Sequence, residues 1–188
     1  LKSLGYEVEI TADPERLRAA DKLFLPGVGA FRDAQERLFS TGLADVIRGL
    51  AAEGKPLMGI CLGMQLLFEK GFEYGEHEGL GLIEGEIVPL KGEIPNDLDI
   101  PHMGWNSLHF QNEGRLFANL PQDSYVYFVH SYYLQAEEES IVKATTDYST
   151  CIHASVEKDN VFACQFHPEK SGKVGEMILR NFIERCSY

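Results

Sequence analysis

Lys55-Pro56-Leu57-Met58-Gly59-Ile60-Cys61-Leu62-Gly63-Met64-Gln65-Leu66-Leu67-Phe68 is the stretch from which the fold can be read. Pro56 opens an apolar run too short for a helix of its own, and beyond Gly63 the apolar residues continue in a helical pattern. The pattern predicts a strand, a sharp turn and a helix. Gly59-Ile60-Cys61-Leu62-Gly63 has the Gly-x-nucleophile-x-Gly spacing, in which the central residue sits on a strained turn at the carboxyl end of a strand, with glycines where larger residues would clash. A thiol there faces the unsatisfied N–H groups of a helix amino terminus, which favour its ionised, attacking form. The N–H of Leu62 would point at the oxygen of a substrate carbonyl as it becomes an oxyanion. On these residues alone, Cys61 is either a nucleophile or a small buried hydrophobe at a strand end.

A nucleophilic thiol needs a base, and the six histidines are His77, His102, His109, His130, His153 and His167. His167 stands out within Gln165-Phe166-His167-Pro168-Glu169 because it follows an expected strand and precedes a carboxylate by two residues. Pro168 biases His167 toward extended geometry, in which residues i and i+2 project to the same side, so Glu169 can reach the ring. Glu169 would orient His167, which would take the thiol proton and later return one to the leaving group. A nucleophile on an early strand end and a base on a late one can meet at the carboxyl edge of one sheet. The alternative for His167 is a hydrogen-bonded loop histidine with no chemical task.

Outward from these two stretches, the chain divides in character. Leu1 to Gly5 reads as the end of a helix, Tyr6 to Ile10 as an alternating strand, and Asp13-Pro14 as the capped start of a short helix running to Ala20. Lys22 to Leu25 is a buried strand that runs into the loop Pro26-Gly27-Val28-Gly29-Ala30. Residues 34–49 carry an amphipathic pattern with a break expected at Gly42. After a glycine-rich loop, Gly71 to Gly79, short alternating segments follow one another to Phe166, and Lys173 to Arg185 closes the chain as a helix. Strands alternating with helices, then hairpins, then a final helix predict an α/β fold with a mixed sheet and helices on both faces. No repeat or linker divides residues 1–188, so a single domain is expected.

Composition narrows the function further. With Lys+Arg 17 against Asp+Glu 29, the formal net charge of −12 has the wrong sign for non-specific nucleic-acid binding. No long uncharged apolar run suggests a membrane span, and no apolar leader is evident, so no membrane association and a cytoplasmic location are the default expectations. Cys61, Cys151, Cys164 and Cys186 form neither a Cys-x-x-Cys pair nor a zinc-type cluster, which predicts free thiols and no bound metal.

Gly59-Ile60-Cys61-Leu62-Gly63-Met64-Gln65 together with His167-Pro168-Glu169 resembles the class I, triad-type glutamine amidotransferases. Leu25 to Phe31, Pro101 to Asn106, Phe128 to Tyr133 and Gln165 to Gly172 extend the likeness to the glutaminase subunits of imidazole glycerol phosphate synthases, nearly from end to end. The resemblance implies a three-layer sandwich around a mixed, mostly parallel sheet, and hydrolysis of L-glutamine to glutamate and ammonia without a cofactor. It implies Cys61 as the nucleophile that forms a glutamyl thioester, with His167 and Glu169 completing the triad. Gln65, Glu73, Gly29, Ser131 and Tyr132 would hold the amino-acid end of the substrate. The oxyanion would be met by the amide of Leu62 and by a second amide at Val28, turned inward by a peptide flip that the flanking glycines make easy. Read without the family, Gln65 is a surface amide, Glu73 a loop acid, and Ser131 and Tyr132 ordinary strand residues.

The resemblance also implies a partner, a cyclase subunit of (β/α)-barrel fold that takes the ammonia in a heterodimer, contacted by Met103, Trp105 and Asn106. The partner with bound substrate would shift the Val28 loop toward its competent form. Family members open with a strand and a glycine-rich loop ahead of the position of Leu1, so the expected sheet lacks a first strand. A γ-glutamyl peptidase or an amidotransferase feeding a different synthase on the same fold, or a catalytically silent binding or regulatory subunit, are the competing readings of these residues.

Overall fold

Pro14 sits at the first position of α1 (Pro14–Ala19), where its missing N–H would have been unsatisfied anyway, and the Asp13 carboxylate accepts a hydrogen bond from the Glu15 N–H at 2.9 Å. The computed structural model describes residues 1–187. β1 (Leu23–Gly27) follows, then α2 (Phe31–Ser40) and α3 (Leu43–Ala52), separated at Gly42, whose φ of 75° places it in the left-handed region that suits glycine. β2 (Leu57–Cys61) runs directly into α4 (Leu62–Leu66). The remaining strands are β3 (Phe68–Gly71), β4 (His77–Glu78), β5 (Ile83–Pro89), β6 (His102–Ser107), β7 (His109–Phe110), β8 (Tyr125–His130), β9 (Tyr132–Ala136), β10 (Val142–Asp147), β11 (Cys151–Lys158) and β12 (Val161–Cys164), before α5 (Gly172–Arg185).

The central sheet has the order β1-β2-β12-β11-β10-β7. It is mixed, as expected, but it is not mostly parallel: β1-β2 and β2-β12 are parallel, while β12-β11, β11-β10 and β10-β7 are antiparallel. For β12-β11 and β11-β10 the reason is connection length. Only Asp159 and Asn160 separate β11 from β12, and only three residues separate β10 from β11. Connections that short join antiparallel neighbours, whereas parallel strands need a crossover. A second sheet, β4-β3-β5-β9, and a two-stranded ribbon, β6-β8, complete the strands.

Side chains alternate across the central sheet. Val161 and Ala163 of β12 belong to a core shared with α2, α3, α4 and the second sheet, through Phe31, Ile47, Leu50, Met64 and Ile83. Phe162 and Cys164 belong to the opposite core, with Ile178 and Phe182 of α5 and with Val126 and Phe128 of β8. Each large apolar side chain buried in this way contributes roughly 1.5–3 kcal/mol. Lys22 ties the end of α5 to the start of β1, donating to the carbonyls of Phe182 and Cys186 at 2.9 and 2.8 Å.

Two local expectations fail for stated reasons. Tyr6 to Ile10 forms no strand; no described strand lies alongside to pair with it, and Ile10 is fully exposed. Glu9 instead pairs with Arg16 of α1 at 2.8 Å. The helix after Cys61 is shorter than its apolar pattern suggests, because Phe68 leaves it to enter β3 and pair with Ile83 of β5. The four cysteines are free thiols, with only Cys151 exposed.

Candidate active site

The turn between β2 and α4 forms because nothing larger than glycine fits on either side of Cys61. A Cβ at Gly63 would lie 1.6 Å from the Leu25 carbonyl oxygen of β1, and one at Gly59 would lie 2.8 Å from the Met64 backbone. α4 is thereby pressed against the strands that carry it. Cys61 takes up the turn with φ 54° and ψ −113°, a conformation that strains any residue with a Cβ. Its sulfur lies 3.9 Å from the Val129 carbonyl oxygen of β8 and is itself buried.

Parallel register brings the second stretch alongside. Cys164 at the end of β12 pairs with Ile60, so Gln165, Phe166 and His167 continue past the same edge at which Cys61 sits. Several hydrogen bonds then hold the segment. The His167 N–H donates to the Tyr127 carbonyl at 2.9 Å, and the Ser171 hydroxyl donates to the His167 carbonyl at 2.6 Å while accepting from the Tyr127 N–H at 3.0 Å. His167 Nδ1 and Glu169 Oε1 are 2.6 Å apart. His167 is buried, and its Nε2 makes no hydrogen bond among the described residues. The Cys61 sulfur first, and Glu169 second, hold the imidazole pKa up, to about 9, against the effect of burial. Burial works to raise the Glu169 carboxyl, yet hydrogen bonds from His167 and backbone, with the charges of His167 and Lys170, hold it below its ordinary value.

The other residues singled out in the sequence gather around this pair to different degrees. Gly27 is the register partner of Cys61, so Val28 and Gly29 begin one residue beyond it. Val28 is 79% exposed, and Gly29 has φ 100° with open space where a Cβ would be. Leu62 and Gln65 are buried on α4, and Gln65 Nε2 donates to the Tyr132 carbonyl at 3.2 Å. Glu73 Oε2 accepts from the Phe31 N–H at 2.6 Å and so caps α2, whose own Ala30 has no side chain for that purpose. Burial first, and the Glu73 charge second, raise the Tyr132 phenol pKa, which sets those two groups near each other. Ser131 is half-buried, and its carbonyl accepts from the Leu90 N–H at 2.9 Å. Met103, Trp105 and Asn106 lie apart from the cluster, on β6. Met103 and Trp105 are 61% and 56% exposed, whereas Asn106 is half-buried and donates to the Asp147 carbonyl at 2.9 Å. β6 pairs with β8 so that Met103 stands opposite Val129, the residue whose carbonyl faces the Cys61 sulfur.

Three residues without an assigned role in the sequence stand close to the site. Gln165 is fully buried with its amide between Gln65 and the Cys61 sulfur. Gln165 precedes His167 by two residues, and that adjacency to the motif was its signal in the sequence. His102 and His130 are buried 2.9 Å apart, and His130 Nδ1 lies 2.9 Å from the Tyr132 carbonyl oxygen. A carbonyl only accepts, so His130 carries its proton on Nδ1 and its Nε2 accepts from His102. Only the pairing of β6 with β8 reveals this link, since the two histidines are 28 residues apart.

Burial pushes the His102 pKa down to about 4 and, against its backbone hydrogen bond, that of His130 to about 3. Unfolded, both would titrate near about 6.5, so between these values the unfolded chain binds more protons. The stability they support is therefore present above about pH 6.5 and lost as the pH falls toward 4. The His167 contribution has the opposite sign, full below about pH 6.5 and lost as the pH rises through about 9. Denaturant unfolding should show stability declining from pH 6.5 to 5, by at most about 1.4 kcal/mol per pH unit for each buried histidine. A His102→Gln variant should have a shallower acid limb.

A family model for class-I glutamine amidotransferases matches residues 1–186. The imidazole glycerol phosphate synthase subunit HisH of Caldanaerobacter subterraneus is 49% identical over 184 residues, which cover 98% of this chain and 89% of that protein. The protein of the same name in Aquifex aeolicus is 49% identical over 187 residues, covering 99% and 88%. Among solved structures, a glutamine amidotransferase superposes with a TM-score of 0.74 at 22% identity over 97% of this chain and 88% of that one. The glutaminase domain of Trypanosoma brucei CTPS with bound acivicin gives 0.60 at 18% identity, over 91% and 74%. These structural likenesses concern the α/β fold.

Proposed function

Because the chain belongs to the class I glutamine amidotransferase family, we propose that it is the glutaminase subunit of an imidazole glycerol phosphate synthase, acting in histidine biosynthesis. The observation that carries the chemistry is the His167–Glu169 pair at 2.6 Å, set just beyond the end of β12, which pairs with the strand that ends in a cysteine of φ 54°. Cys61 attacks the side-chain amide carbon of L-glutamine, and the carbonyl oxygen becomes an oxyanion. His167, held by Glu169, protonates the departing nitrogen, which leaves as ammonia, and a glutamyl thioester remains on the sulfur. Water then attacks the thioester with His167 taking its proton; glutamate is released and the thiol is restored. The Leu62 amide meets the oxyanion, joined by the Val28 amide when its peptide turns inward. Gln65, Glu73, Gly29, Ser131 and Tyr132 hold the amino-acid end of the substrate, with Glu73 on the ammonium.

A chain of this kind works as one subunit of an assembly, as its relatives' names state of them. We assign the partner as a cyclase of (β/α)-barrel fold that receives the ammonia for a phosphorylated ribulosyl aminoimidazole carboxamide. The exposed pair Met103 and Trp105, with Asn106 beside them on β6, supports this strand as the contact. Among the described residues no helix is long and apolar enough to cross a membrane; a cytoplasmic location accords with a biosynthetic role.

The test is a glutaminase assay of this chain alone, with the cyclase, and with the cyclase plus its ligand. Hydrolysis should rise steeply only in the third case. Equal rates in all three would refute the loop-controlled oxyanion site, and no hydrolysis in any would refute the glutaminase reading. Trp105→Ala should weaken binding to the cyclase by about tenfold or more in a titration, as expected for an aromatic anchor; unchanged affinity would remove it from the interface.

A further inference from the structure

Gln165 carries no assigned role, yet its amide sits against the sulfur proposed to do the chemistry. The orientation of that amide is forced. The Tyr132 carbonyl can only accept, so the Gln65 nitrogen faces it as donor at 3.2 Å. The same NH2 group donates to Gln165 Oε1 at 3.1 Å. The oxygen of Gln165 is thus occupied, and its NH2 group is turned to the Cys61 sulfur at 3.9 Å. Flipping Gln165 would set two NH2 groups against each other in a site from which water is excluded, since Gln165 is fully buried.

The sulfur therefore meets an acceptor and a donor. The Val129 carbonyl at 3.9 Å suits the neutral thiol, whose S–H it can accept, and opposes a negative sulfur. The Gln165 N–H suits the negative sulfur and gives nothing to a neutral one beyond a weak contact. We propose that Gln165 is a catalytic residue, a fixed N–H donor that supports negative charge on the Cys61 sulfur and at the same time locks the Gln65 amide in place. The proposal rests on the reading of Cys61 as the nucleophile. Gln165 takes no proton and forms no bond in the cycle; its support is greatest before attack and as the sulfur leaves the thioester, when the charge is on sulfur and not yet met by a proton. The titratable groups that also act here are His167 with its partner Glu169, and His130, on which the His167 charge bears.

The experiment is carbamidomethylation of the full chain by iodoacetamide, followed at Cys61 by peptide mass spectrometry in a Cys151→Ser background, because Cys151 is the exposed thiol. Gln165→Met removes the donor at similar volume, and Gln165→Glu replaces it with an acceptor of the same shape. At pH 7 the Met variant should react about tenfold more slowly than the parent and the Glu variant more slowly still, while the alkaline plateau of the rate stays within about twofold. Melting temperatures within a few degrees of the parent separate this from unfolding, and if the Met variant fails to fold, the isosteric Glu variant carries the comparison. Parental alkylation rates at pH 7 in folded variants would overturn the proposal. So would a loss of glutaminase activity with alkylation unchanged, which would leave Gln165 acting only through Gln65. Slowed alkylation of the variants, together with a parent chain that hydrolyses no glutamine, would uphold the donor role and refute the glutaminase reading, so the two are told apart.

Discussion

Replacing Cys61 by Ala should abolish glutamine hydrolysis, lowering turnover by about 10³-fold or more relative to the parent in the presence of cyclase and ligand. The same position offers a second, independent readout. Cys61 sits at φ 54° and ψ −113°, where Ala is strained and Gly is not. Cys61→Gly should therefore be more stable than Cys61→Ala by about 1 kcal/mol in denaturant unfolding, the reverse of the usual order in a strand or helix. Equal inactivity with inverted stability is the signature of a nucleophile held on a strained turn. Full activity in either variant would exclude Cys61 from the chemistry, and an Ala variant the more stable of the two would remove the strain.

Gly63→Ala should be the most damaging single methyl in the chain. Its Cβ would lie 1.6 Å from the Leu25 carbonyl oxygen, a backbone atom in the core strand β1, so either α4 or β1 has to move. We expect a loss of more than about 3 kcal/mol, or failure to accumulate folded protein, measured by chemical denaturation. Gly49→Ala is the matched control. It lies inside α3 with nothing within 4 Å of the added Cβ, and it should stabilise by about 0.5–1 kcal/mol through helix propensity alone. Similar effects at the two positions would mean that the close approach of α4 to β1 is not maintained in solution.

Much of the site was legible because it lies in two short stretches. The Gly59-x-Cys61-x-Gly63 spacing encodes a turn through local sterics, and His167 and Glu169 are close enough in the chain to meet at 2.6 Å, although Pro168–Lys170 is a 3-10 turn and not the extended run expected. Gln165 was passed over because an amide beside a motif has no signature of its own. The His102–His130 link was not legible, since its two members meet only when β6 pairs with β8. Tyr6 to Ile10 shows the opposite failure: its alternation is a strand pattern, but a strand forms only when it pairs, and this segment pairs with none of the described strands.

By itself, then, the sequence determined the elements whose causes are local: the strand, turn and helix around Cys61, the capped start of α1 at Asp13, the break at Gly42, and the His167–Glu169 pair. Tertiary structure alone decided which carbonyl faces the sulfur and which way the Gln165 amide points. Local sterics act within a few residues and leave a readable spacing. The hydrogen-bond partners of a buried sulfur or amide are supplied by segments far apart in the chain, as Gln65 on α4 and Gln165 beyond β12 are, a hundred residues from each other, and only the packed fold brings them together.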